Sequence, residues 1–192
     1  MRHRPDVLIV GEVRGQEAYV LFQALATGHG GMCTMHAENL DSAIKRLTSK
    51  PMDIAPAYIP LMNIVLSIQR VHLVKGSEKK AYRRVINVNE IRDYEDYRGI
   101  FRWHPTKDTQ SPSFNKSVVL SAISERLGVS KKELLAEIDR RRELLHWMLE
   151  RNIRSYKDVA AIIAEYHARP VQTYEKALAG EEVKAIAVSG NP

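Results

Sequence analysis

Val7-Leu8-Ile9-Val10 is an unbroken apolar run ended by Gly11, and no other feature narrows the choice of fold so much. A strand with one wet face alternates polar and apolar residues. A run without alternation reads as a strand buried on both faces, as in a parallel sheet. Gln16 to Ala26 follows with helical spacing that sets Val20, Leu21, Ala24 and Leu25 to one side, and Gly28 stands where a helix stops. Gly30-Gly31 reads as a turn and Met32 to His36 as a second short strand. Strand, helix of about three turns, strand is the βαβ unit, which places this chain in the α/β class.

The rest of the chain divides by composition. Asn39 is an N-cap for a helix from Leu40 to Ser49, closed by Pro51, and Pro56 and Pro60 confine the next segment to a loop and a short helical piece. Val65–Leu73 and Val85–Ile91 read as strands joined by a polar, Lys-rich turn at 76–80, so residues 1–92 form one α/β piece. Residues 93–116 read as a linker with a possible strand at Phe101–His104, and 117–170 as helical. In the helical part, Val118–Leu127 stops at Gly128. Ser130 and Glu133 form a capping box for a helix to about Arg151, with Leu134, Leu135, Ile138, Leu145, Met148 and Leu149 as its apolar stripe. Ser155 opens a further helix that Arg169-Pro170 ends, and 171–192 have weak periodicity.

With 44% hydrophobic and 27% charged residues, wholesale disorder is excluded. No apolar run approaches the roughly 18 residues of a membrane span. No signal-peptide core follows Met1, and a single cysteine forms no internal disulfide, so a reducing, intracellular setting is expected. The net charge of +6 sits in the first half: residues 1–92 carry +5 and 93–192 carry +1. This excess reads as dispersed and suits phosphate ligands or an acidic neighbour. The nearly balanced helical half argues against nucleic acid.

In a parallel α/β sheet, ligands bind beyond the carboxyl ends of the strands. Glu12 follows the first strand there and His36 ends the second, so a carboxylate, an imidazole and the Arg14 guanidinium are expected around one crevice. Such a set can orient an attacking water and stabilise developing phosphate charge. Plainer readings stand beside it. Glu12-Val-Arg14 is equally a local ion pair, His29 a turn residue, Cys33 a small core residue and Arg140-Arg141-Arg142 a solvated helix face. His29, Cys33 and His36 are zinc-type ligands, but they lack a fourth.

Two motifs add a resemblance. Arg4-Pro5-Asp6, the apolar run and Gly11-Glu12-Val13-Arg14-Gly15 resemble the Walker B region of the type II/type IV secretion ATPases, which include pilus and archaellum motors. Ala26-Thr27-Gly28-His29-Gly30-Gly31 and Thr34-Met35-His36-Ala37-Glu38-Asn39 are similar to that family's histidine box, at the matching distance. The form of both motifs and the helical tail look most like the archaeal branch. The resemblance implies the C-terminal portion of a RecA-like P-loop NTPase core with a helical appendage. It implies ATP and Mg²⁺ as cofactors, a homohexamer, and a membrane platform protein as partner at the cytoplasmic face of the membrane. Glu12 then matches the catalytic carboxylate, positioning water or Mg²⁺ through water, with Gly11 beside it at the nucleotide. His29 and His36 match a nucleotide-sensing relay, and Arg14 an arginine that is structural or phosphate-sensing.

The sequence departs from that pattern in one respect: it contains no G-x-x-x-x-G-K-[ST], whose amides and lysine hold the phosphates. The expectation is therefore the C-terminal segment of a longer motor. Alone, it should expose an apolar sheet face, self-associate and leave ATP intact. The alternative is a non-catalytic remnant of the fold that docks a partner.

Overall fold

The computed structural model describes residues 5–75 and 78–180, which divide after Ala122 into two compact units. In the first unit, β1 (Val7–Val10) pairs in parallel with β2 (Gly30–Cys33), Val7 opposite Gly30 and Val10 opposite Cys33. Helix α1 (Glu17–Ala26) joins them. It ends where the Thr27 hydroxyl donates to the carbonyls of Gln23 and Ala24, and Gly28 turns the chain at φ 91°. That left-handed conformation costs other L-residues about 1–2 kcal/mol. Gly30 and Gly31 are strand residues rather than a turn, because the reversal is complete by His29. A Cβ on Gly31 would lie 2.7 Å from Leu25 Cδ2, so glycine lets α1 close on β2.

Three expectations about burial are corrected here. The β1 run is covered on one face only: Leu8 and Val10 pack on the core, while Val7 is exposed and Ile9 is 72% exposed. Helix α1 buries Ala18, Leu21, Phe22 and Ala24 and leaves Val20 in water, because Ala18, Leu21, Phe22 and Leu25 fit helical spacing with a smaller, closer-packing residue at the start. Cys33 is exposed, since the second layer that would bury it is not formed by the described residues.

Helix α2 (Leu40–Thr48) starts as expected, the Asn39 Oδ1 accepting from Ser42 N–H at 2.9 Å. Its Ile44 and Leu47 join Leu21, Phe22 and Val13 in the core, with Ile59 from the 3₁₀ helix Pro56–Met62 beneath. A second, antiparallel sheet runs β3 (Ile64–Lys75), β4 (Glu78–Asp93), β5 (Asp96–His104), β6 (Thr109–Pro112), in that order. Both expected strands are longer than read, with Glu78–Lys80 in β4, while Gly76-Ser77 lies outside the described residues. The segment read as a linker is half of this sheet. Tyr97, Phe101 and Trp103 are spaced between polar residues, Ile100 is buried where the register with β4 shifts, and Asp108 closes the sheet by accepting two bonds from Arg84 (2.7 and 2.8 Å) and one from Trp103 Nε1 (3.0 Å).

Glu90 of β4 is the buried carboxylate of this unit, 1% exposed. It accepts from the Ser117 hydroxyl at 2.5 Å and from the N–H groups of Val118 and Val119 at 2.6 and 3.2 Å. Those amides open α3 (Val118–Leu127), so a negative charge sits at the positive end of the helix.

The second unit packs α4 (Lys131–Glu150), α5 (Tyr156–Ala168) and α6 (Pro170–Leu178) around Leu144, Met148, Ile162, Tyr166 and Ala177. The Ser130–Glu133 capping box is present. Leu144 rather than Leu145 faces inward, and Leu145 and Leu149 are exposed. Pro170 begins a helix instead of ending one, because proline suits the first helical position, so much of the weakly periodic tail is α6. Residues 181–192 lie outside the description. Arg140 and Arg141 pair with Glu137 and Arg142 with Asp139, leaving no unpaired arginine run, and Trp147 packs on this unit's own core. No helix among the described residues is long and apolar enough to cross a membrane.

Replacing Glu90 with alanine removes three hydrogen bonds and the counter-charge at α3. The expected loss is about 3 kcal/mol of unfolding free energy, read as a lower denaturant midpoint. A loss below about 0.5 kcal/mol would show that water replaces the carboxylate.

Candidate functional site

Parallel pairing brings the carboxyl ends of β1 and β2 to one edge, and the connection continues past the strands. Val13 N–H donates to the Thr34 carbonyl at 2.9 Å, and the Thr34 hydroxyl donates to the Gly11 carbonyl at 2.5 Å. These two bonds carry the segment 11–14 alongside 34–36. Glu12 and His36 meet there, with His36 Nε2 3.5 Å from Glu12 Oε1, and Arg14 Nη2 donates to Glu12 Oε2 at 2.7 Å. Gly11 has open space where a Cβ would stand, which leaves room beside Glu12.

Two residues that sequence reasoning missed hold this arrangement. Glu17, in the first turn of α1, accepts from the N–H groups of Arg14 and Gly15 at 2.5 and 2.8 Å. Arg46 of α2 reaches back and donates to the His36 carbonyl at 2.6 Å. A glutamate just inside a helix start is a recognisable capping signal. Nothing in the sequence pointed the Arg46 guanidinium at His36.

The structure does not bring His29 to this edge. Its Nδ1 lies 3.1 Å from the Thr27 hydroxyl and 3.2 Å from the Ala24 carbonyl, so it serves the helix end as a turn residue. Cys33 stays apart as well. Among the described residues no group of three or more His, Cys, Asp or Glu side chains gathers as metal ligands.

Electrostatics fix the state of Glu12. The hydrogen bond from Arg14 holds its carboxyl below the ordinary carboxylate range, desolvation opposes this, and the nearby charges of Arg14, His36 and Arg46 add to the lowering. Glu12 is therefore an ionised acceptor at neutral pH and a weak proton abstractor. It can hold a water or a hydrated cation by accepting from it. The edge is open: the Glu12 side chain is 27% exposed, Arg14 70% and His36 85%.

The residues of this edge lie within a segment shared with known proteins. A family model for the type II/IV secretion system protein matches residues 1–111, and one for a PilB3-like C-terminal region matches 108–188. The chain belongs to the type II/IV secretion system protein family. It is 35% identical over 175 residues to MJ1287 of Methanocaldococcus jannaschii, covering 87% of this chain and 63% of that one. With MJ0900 of the same organism it shares 32% over 189 residues, covering 94% of this chain and 32% of the relative. A conjugal transfer protein, TrbB of Rhizobium radiobacter, is 39% identical over 99 residues, 51% of this chain and 29% of its own length. The chain thus spans less than two thirds of the length of each of these relatives.

Since the folded-state titration of Glu12 is depressed, its contribution to stability is present above the carboxyl's unfolded value and is lost as pH falls through the folded one. Arg14→Gln is expected to raise the Glu12 midpoint toward that of an ordinary glutamate, followed by the side-chain carboxyl ¹³C shift. An unmoved midpoint would remove Arg14 as the cause.

Proposed function

We propose that this chain is the C-terminal segment of an ATP-hydrolysing motor of the archaeal branch of its family. The intact protein would work as a homohexamer at the cytoplasmic face of the membrane, driving secretion or pilus or archaellum assembly through a membrane platform protein. The observation that carries the reading is the meeting of Glu12, Arg14 and His36 at the carboxyl ends of two parallel strands, within the segment matched by the secretion family model. The uncovered apolar face of β1 and β2, where Ile9 and Met32 stand exposed, supports a larger RecA-like sheet in the intact protein.

The donor set fits a nucleotide-bound Mg²⁺ held through water. A single ionised carboxylate suffices when phosphates and waters supply the remaining ligands, and a protein-only cage is not required. When bound, MgATP supplies the phosphoryl group and the cation that screens its charge. Glu12, kept ionised by Arg14, accepts from a water and aims it. His36 donates from the same edge, so its loop registers the charge that Glu12 faces. Thr34 keeps the two segments in register, and Arg46 anchors the His36 backbone. His29, at the end of α1, belongs to the proposed relay through the α1–β2 turn rather than through contact with Glu12.

Kinetics of the longer polypeptide carrying this segment behind a phosphate-binding loop tests the reading. Glu12→Gln should lower kcat for MgATP by at least about 100-fold with KM changed little, as loss of a water-orienting group does. An unchanged kcat would exclude Glu12 from the reaction. The 192-residue chain alone should show no Mg²⁺-dependent turnover, because it lacks the phosphate-binding loop. That same absence favours the second reading, a partner-docking remnant. If Glu12→Gln leaves assembly of the secreted or filamentous structure intact, the remnant reading takes its place.

A further inference from the structure

The positive charge of the first unit is not dispersed. Between Gln69 and Arg84 six lysines and arginines face one acid, Glu78, a net charge of +5 that accounts for the whole excess of residues 1–92. The fold gathers these residues on one hairpin, the distal parts of β3 and β4. Pairing of β4 with β5 covers only Asn87 to Asp93, so this end of the hairpin runs on as a two-stranded ribbon.

Register sorts the charges by face. Arg70 stands opposite Arg83, His72 opposite Ala81, and Val74 opposite Lys79, and directly opposed residues share a face. That face holds Arg70, Arg83, His72 and Lys79 with no carboxylate among them. Among the described residues none of the four side chains makes an ion pair or hydrogen bond, whereas Lys80 pairs with Glu78 and Arg84 with Asp108. Like charges set directly across a ladder are unfavourable on their own, and an anionic surface laid over them reverses the sign. The same face continues along β3 into Ile68 and Leu66, and Val74 sits among the cations, with Ile68 60% and Val74 70% exposed.

We propose that this face of the β3–β4 ribbon is a docking surface for an anionic lipid bilayer. Cations alone would suit any polyanion, and the aliphatic side chains decide between them. Ile68 and Val74 gain by entering the headgroup–acyl boundary while the guanidinium and ammonium groups meet lipid phosphates. On a nucleic acid they would lie against phosphates and sugars. The face carries neither the aromatic platforms that stack bases nor the Asn and Gln side chains that read adenine edges. The inference does not rest on the nucleotide site, since no residue of the Glu12 cluster takes part.

Partition of the full 192-residue chain onto sedimented vesicles tests it, comparing pure phosphatidylcholine with a mixture containing phosphatidylglycerol at low salt. Binding should require the anionic lipid and weaken in high salt. At about 1 kcal/mol for each cation at the surface, Arg70→Gln with Arg83→Gln should reduce partition about thirtyfold. Val74→Ser with Ile68→Ser should also reduce it while leaving the salt dependence in place. All four positions are exposed, so unfolding midpoints should stay near the parent's; if the arginine pair fails to fold, Lys79→Gln with His72→Gln reads the same face. Equal binding to neutral vesicles, or partition by the folded arginine variant within twofold of the parent, would overturn the proposal. So would duplex DNA binding abolished by the arginine variant with no vesicle binding by the parent.

Discussion

Parallel pairing of β1 with β2 is the constraint from which the candidate site follows. Two four-residue strands offer few ladder bonds, so their register depends on what surrounds them. Gly31 admits Leu25 and Leu21 of α1 against the strand, and the Thr34 hydroxyl and carbonyl extend the pairing to Gly11 and Val13. Had the strands run antiparallel, the end of one would face the start of the other, and Glu12 and His36 would lie at opposite edges. The parallel sense, imposed by the intervening helix, brings a carboxylate and an imidazole 24 positions apart in sequence within 3.5 Å.

Carboxylates are used differently in the two places where they matter. Glu90 is enclosed, and helix amides and a hydroxyl satisfy it, so its role is to fix the first turn of α3. Glu12 is open to water, and side chains that can move satisfy it. A carboxylate whose partners are rigid amides is poorly placed to exchange them for a ligand. One whose partners are an exposed arginine and histidine exchanges them readily. This difference in surroundings, rather than residue type, separates the structural glutamate from the candidate functional one.

The sequence made the βαβ unit, the Asn39 cap, the Ser130 capping box and the Glu12–Arg14–His36 grouping legible, because each rests on local spacing or on one topological rule. It misled where local signals compete with tertiary context. Four apolar residues in a row imply burial on both faces, yet burial requires a second layer, and Ile9 has none among the described residues. Pro170 marks a helix end or a helix start, and only packing of Thr173 and Ala177 decides which. Of the sheet at 96–112 only a possible strand at Phe101–His104 was legible, because Gly99 and the buried Ile100 interrupt the alternation and Thr109–Pro112 carries no apolar signal. Glu90 and Arg46 act across 27 and 10 residues of sequence, on partners that no spacing rule identifies.

Charge shows the same limit, and here the cause is register. Counted over half the chain, +5 looks like a mild bias, and counted over one hairpin it is a concentrated field. Whether such a field matters depends on which side chains neutralise one another. Glu78 and Asp108 neutralise Lys80 and Arg84, while the cross-strand alignment of Arg70 with Arg83 leaves the other face without a counter-charge. A single-residue shift of β4 against β3 would set each of these arginines opposite a different neighbour and change the face it shares. The bulge between Ser67 and Ile68 therefore bears on the surface chemistry as well as the twist, since it sets the register in which the two arginines meet.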